Sequence, residues 1–182
     1  MKPKLVVTGF MGTGKSRVGR AAAERLGVRF VDSDREIVTH SGKSIAEIFA
    51  LHGEPHFRAL ERTAIAALAA DAEPAVIATG GGALADDDNF RALKRAGIIV
   101  CLAARPEVIA ARLARSGEAR PKLIEGGKPL LDRIVELMAE RAAVYARAEA
   151  TLDTSDLTID AAAERLVAIF TALRERRCEP SA

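Results

Sequence analysis

An α/β fold built on a parallel sheet is predicted for this chain, and three observations predict it. Short strand-like runs alternate with longer helical patterns along most of the sequence. A glycine-rich turn, residues 9–16, joins the first such run directly to the first helix. No internal repeat and no linker-like stretch divides the 182 residues, so one domain is expected over residues 1–182.

The elements follow in order. Leu5-Val6-Val7-Thr8 is the first strand, and Val18, Ala22 and Leu26 set the spacing of a helix over 15–26. Val28-Arg29-Phe30-Val31 is the second strand, ending at Asp32. Ser44-Ile45-Ala46-Glu47 has the form of a capping box that opens a helix toward Phe49, and residues 53–70 form a further helical stretch. Ala75-Val76-Ile77-Ala78-Thr79 is a strand halted by Gly80-Gly81-Gly82. A helix near 86–96 leads into a strand over 97–103, and Pro106 suits the first turn of the next helix. Ser116, Gly117, Pro121, Gly126, Gly127 and Pro129 then break the pattern, which reads as a mobile lid over about 113–127. A helix near 130–148, a strand near 150–153 and a closing amphipathic helix near 159–176 complete the chain.

Composition excludes several classes of function. Hydrophobic residues make up 49% and charged residues 29%, enough for a buried core without staples. The net charge is only +2, so neither nucleic-acid nor membrane binding is expected. Apolar runs fall short of the roughly 20 residues that span a bilayer, and no signal-peptide core follows Met1, so a cytoplasmic setting is expected. Cys101 and Cys178 make neither a disulfide framework nor a metal site, and Cys101 reads as core. His40, His52 and His56 are scattered and receive no role.

Gly9-Phe10-Met11-Gly12-Thr13-Gly14-Lys15-Ser16 fits G-x4-G-K-[ST]. Glycines let the backbone curl until its N–H groups point inward at phosphate oxygens, and the helix that starts there adds its positive end. Gly12, Thr13, Gly14, Lys15 and Ser16 are therefore candidate ATP-binding residues. Lys15 would reach the β- and γ-phosphates, and Ser16 would ligate Mg²⁺.

Two further groups suggest the acceptor. Asp32 and Asp34 stand at the carboxyl end of the second strand, where open sheets bind ligands. As strand residues they would point to opposite faces, one toward a metal shell and one toward the acceptor. Arg58 and Glu61, three residues apart, share a helix face, so the acid can fix the guanidinium for carboxylate recognition. Taken alone, such a pair is more often a surface ion pair.

In combination the motifs are more specific. The phosphate loop, Asp32-Ser33-Asp34, Gly42 with Ser44-Ile45-Ala46-Glu47-Ile48-Phe49, Gly53-Glu54 with Phe57-Arg58 and Glu61, and Thr79-Gly80-Gly81-Gly82 resemble shikimate kinases over about residues 4–170. The resemblance implies a three-layer P-loop NTPase-like fold with a five-stranded parallel sheet, and ATP-dependent phosphorylation of the shikimate 3-hydroxyl in aromatic amino acid biosynthesis. It implies that Asp34 holds substrate hydroxyls and accepts the proton, and that Arg58 and Arg141 clamp the substrate carboxylate. Gly80, Gly81 and Gly82 would bring amides to the substrate, and Phe49 and Phe57 would wall its pocket. Asp32 would stand in the outer shell of the Mg²⁺ held by Ser16. A monomer is the expected assembly.

The resemblance weakens at the lid. A family lid Arg followed by Pro and two Leu reaches the transferring phosphoryl group; here Arg120-Pro121 is followed by Lys122-Leu123. Lys128-Pro129-Leu130-Leu131 imitates the same pattern, but Lys lacks the planar fork of Arg, which favours Arg120 as the catalytic lid residue. Arg115 is the candidate for stacking on adenine, with Arg112 beside it. The rival readings are another P-loop metabolite kinase of the gluconate type, and a catalytically weak shikimate-sensing protein.

Overall fold

The computed structural model describes residues 3–116 and 129–178. Five strands form one parallel sheet: β1 (Lys4–Gly9), β2 (Arg29–Asp32), β3 (Ala75–Ala78), β4 (Gly97–Ala103) and β5 (Ala150–Asp153), in the order β2-β3-β1-β4-β5. β1 and β3 are buried at every position, and Leu5–Val7 and Ala75–Ala78 within them are accordingly all apolar.

Helices cover both faces. On one side α1 (Lys15–Leu26) and α7 (Ile159–Cys178) lay Val18, Ala22, Ala163 and Leu166 against Leu5, Val7 and Val100. On the other, α3 (Ile45–Ala70) and α4 (Asp87–Ala96) bring Ile65, Leu68 and Leu93 onto Val6, Ile77 and Ile99. Each of these buried Val, Leu and Ile side chains contributes about 1.5–3 kcal/mol of apolar burial. Above the carboxyl ends of the strands, α5 (Pro106–Ser116) and α6 (Leu130–Tyr145) enclose Phe10 with Ile109, Leu113, Ile134 and Leu137.

One helix is absent from the sequence-based order. α2 runs from Ser33 to Ser41, directly after β2, and Asp32 is its N-cap, accepting from the Asp34 and Arg35 amides. Asp34 therefore stands in a first helical turn, not in the strand. Opposite-face alternation does not separate the two carboxylates; the turn of the helix does.

The capping box at Ser44 and Glu47 is present as predicted. α3 breaks at Gly53 (φ 77°, ψ 175°), two residues before Pro55, matching the two helical stretches read from sequence. His52 and His56 flank this break with ring centroids 4.7 Å apart, so these two histidines are not scattered. Among the described residues, no three His, Cys, Asp or Glu groups could hold a metal ion, and no helix is long and apolar enough to cross a membrane.

Candidate active site

A cleft of about 1110 Å³ opens at the carboxyl ends of the strands. It is lined on one side by the loop before α1 and on the other by α2, α3 and residues 79–82. A smaller crevice of about 320 Å³ between α2 and α3 has an apolar interior and is lined by neither the loop before α1 nor residues 79–82.

The nucleotide side is built from the first loop. Gly14 (φ 96°) takes a conformation that other residues rarely adopt, and so turns the chain into α1. α2, α3 and α4 each have a side-chain cap, from Asp32, Ser44 and Asp86. α1 has none, and no acid in its first turn, so its amides and positive end face the cleft. The Thr13 hydroxyl turns inward to donate to the Phe10 carbonyl at 2.8 Å, and Lys15 Nζ donates to the same oxygen at 3.0 Å. Ser16 Oγ donates to Asp32 Oδ2 at 2.7 Å. These two oxygens are the hard donors that Mg²⁺ takes, directly or through water, so the residues present fit a metal–nucleotide complex.

Arg112 is the residue that sequence reasoning undervalued. From α5 it donates to the Gly12 carbonyl at 3.4 Å and to Thr154 Oγ1 and O at 3.1 and 2.6 Å. Thr154 Oγ1 in turn lies 3.0 Å from the Thr13 carbonyl. The loop is thereby tied to the end of β5. Arg115 also lines the cleft, but it is exposed and its Nε donates to the Ala111 carbonyl of its own helix. Arg120 and most of the expected lid lie outside the described residues.

The acceptor side is densely charged. Arg58 Nη1 donates to Glu61 Oε2 at 2.7 Å, and Nη2 to Glu54 Oε1 at 2.8 Å. Glu61 is 1% exposed, so this is no surface pair. Burial raises the Glu61 pKa, and the Arg58 hydrogen bond and charge oppose that rise. Asp34 is the most perturbed carboxylate. Burial, with the Asp32 and Glu61 charges adding to it, pushes its pKa up to about 6, while Lys15 and Arg58 pull it down. Its Oδ1 is buried and without a hydrogen-bond partner.

Phe49 and Phe57 pack at 4.8 Å between centroids and line the cleft, while Phe57 is also part of the core with Ile37 and Ile48. The Arg141 guanidinium lies 5.6 Å from the Phe10 ring centroid and lines the cleft as well. Cys101 is buried and its thiol pushed up to about 11, so it is no nucleophile.

The triple glycine leaves room for the charged side chains around it. A Cβ on Gly80 would stand 2.8 Å from Asp34 Oδ1 and 3.1 Å from Glu61 Oε1; on Gly81, 3.2 Å from Arg141 Nη1; on Gly82, 3.3 Å from Arg58 Nη2. The acceptor-side charges lean on this backbone, and only glycine leaves them room. The Gly80 amide is already committed, donating to Ser33 Oγ at 3.1 Å, and the Gly81 carbonyl accepts from Tyr145 Oη at 2.8 Å.

A phosphate cradle thus faces a pocket floored by glycine and ringed by Arg58, Arg141, Asp34 and Glu61. The shikimate kinase family model matches residues 11–171. The chain belongs to the shikimate kinase family. A shikimate kinase of Geobacter metallireducens is 45% identical over 173 residues, covering 95% of this chain and 92% of that protein. The shikimate kinase of Acinetobacter baumannii, solved in complex with shikimate, superposes with a TM-score of 0.84 at 32% identity, covering 97% of this chain and 96% of that one. A gluconokinase from Sinorhizobium meliloti covers 97% of this chain and 95% of its own at a TM-score of 0.62 and 21% identity, a likeness of fold alone.

Proposed function

We propose that this shikimate kinase family member transfers the γ-phosphoryl group of ATP to the 3-hydroxyl of shikimate, as one catalytic domain. The observation that carries the reading is the pairing of an uncapped, lysine-bearing helix start with a carboxylate whose Oδ1 is buried and without a hydrogen-bond partner, across one cleft.

Residues 12–16 hold the nucleotide, with amides and Lys15 on its phosphates, and Ser16 with Asp32 holds Mg²⁺. Bound Mg²⁺ neutralises charge on the phosphates. Arg58 and Arg141 hold the acceptor's carboxylate by charge-assisted hydrogen bonds. Phe49 and Phe57 press its ring, and residues 80–82 leave it room. Asp34 orients the reacting hydroxyl and accepts its proton as the oxygen attacks phosphorus. Phosphoryl transfer depends chiefly on such placement, so one carboxylate suffices. Arg120 is assigned to the transferring group and Arg115 to adenine on the sequence pattern alone. A monomer in the cytoplasm completes the proposal.

ADP release from Mg·ATP, measured with shikimate, quinate, gluconate and nucleoside monophosphates separately, tests it. Turnover with shikimate alone is expected; turnover with gluconate instead would move the chain to the rival kinase class. Shikimate binding with no ADP release would mark a sensor.

Replacing Arg58 with Ala separates the two halves of the cleft. The acceptor KM is expected to rise by about 10²-fold, the cost of one charge-assisted contact of about 3 kcal/mol. ATP affinity stays unchanged, because Arg58 lies on the acceptor side. Thermal stability falls too, since Glu61 loses its main partner in a buried setting. Calorimetry with ATP checks the placement: weakened nucleotide binding would remove Arg58 from the acceptor site.

A further inference from the structure

Among the described residues, three buried side-chain oxygens have no hydrogen-bond partner: Thr8 Oγ1, Asp34 Oδ1 and Thr79 Oγ1. All three stand at the carboxyl edge of neighbouring elements. Val7 pairs with Ala78, and the Thr79 amide donates to the Val7 carbonyl at 3.0 Å, so the ladder carries on to set Thr8 beside Thr79. Val6 and Ile77, two residues earlier on each strand, both face the α3 and α4 side, and strand alternation turns the two threonines the same way. Thr8 is 1% and Thr79 2% exposed, yet Thr79 lines the cleft. Asp34 Oδ1 lies over the next residue, 2.8 Å from where a Cβ on Gly80 would be.

Buried hydroxyls without partners are rare, and two side by side, with a buried carboxylate oxygen over the next residue, supply the two to four polar partners that an internal water requires. We propose that Thr8, Thr79 and Asp34 enclose one internal water position beneath the glycine floor, and that Thr79 is through it a positioning residue for the Asp34 carboxylate. The water accepts from or donates to the threonine hydroxyls and donates to Asp34 Oδ1, leaving Oδ2 to meet the acceptor. This rests on the reading of Asp34 as the acceptor-side carboxylate.

The test uses Thr79→Val, which keeps the shape and removes the hydroxyl, with Thr79→Ser as the conservative control. A crystal structure of the wild type at about 1.5 Å is expected to show a density peak within hydrogen-bond distance of both threonine hydroxyls, absent from the Val variant. The Val variant should melt about 2–4 °C lower, the scale of one lost hydrogen bond in a chain of this size. Its kcat with shikimate should fall about tenfold or more with KM for ATP unchanged, as a displaced reacting group requires, and Ser should restore it. A Val variant that melts higher, with unchanged kcat and no wild-type peak, would overturn the proposal. If the wild type fails to phosphorylate shikimate, the reaction assigned above is wrong, while density and melting temperature still decide the water position.

Discussion

Replacing Asp34 with Asn is expected to lower turnover by about 10²–10⁴-fold, the usual contribution of a positioned general base, while making the protein more stable. The second effect follows from the first residue's surroundings. Asp34 has its pKa raised from 3.8 to about 6, chiefly by burial, so the folded chain binds its proton more tightly than the unfolded chain does. Stability associated with this group is fully present below about pH 3.8 and is lost as pH rises through about 6. At neutral pH the ionised carboxylate then costs on the order of 2–3 kcal/mol, at about 1.4 kcal/mol per pKa step. Asn carries no such charge, and its melting temperature should exceed that of the wild type by about 4–12 °C at pH 7.5. The gap should close as the pH is lowered toward 4. In the wild type, kcat/KM should fall tenfold per pH step below about 6, because the base must be ionised. Melting curves and pH–rate profiles of both proteins check this. An Asn variant that is less stable at pH 7.5, or one with an unshifted acid limb, would remove Asp34 from the role of base.

Lys15→Ala should also slow the chemical step strongly. The side chain projects from the first turn of an uncapped helix that carries no acid of its own in that turn. Its charge and the loop amides act together on phosphate oxygens that gain charge in transfer. Loss of one such preorganised donor costs about 10²–10³-fold in rate. The fold should survive, because the helix start is shaped by glycine rather than by this side chain. Rapid-quench measurement of a single turnover, beside circular dichroism of the same sample, checks it. Retained transfer would mean that the amides alone hold the γ-phosphate.

The legibility of these features in sequence was uneven, for physical reasons. β4 and β5 occupy the residues expected of them, because apolar runs bounded by Gly, Pro and Asp leave little freedom of register. α1 begins at Lys15 because the glycine turn fixes where it must start. α2 was not legible: it is nine residues long, and its cap, Asp32, also served as the last residue of a strand. Local patterns could not show that Glu61 is buried, since its cover comes from Gly80, nineteen residues away. Arg112 was passed over for the same reason. Its partners, Gly12 and Thr154, are 100 and 42 residues distant, and nothing in its own segment points to them. The glycines were read as bringing amides to the substrate; the crowd of side chains above them is visible only in three dimensions.

That crowd limits how the pocket can be redesigned. A wall made of large side chains can be trimmed to admit a bulkier acceptor, but backbone cannot be trimmed. With residues 80–82 already at the smallest size a residue can have, one boundary of the pocket can only be raised, never lowered. Enlarged specificity must therefore come from the opposite boundary, where Phe49 and Phe57 still have volume to give up. Of these, Phe49 is the less deeply buried, and shortening it would take less from the core than shortening Phe57. The freedom to evolve toward new acceptors is, in this architecture, one-sided.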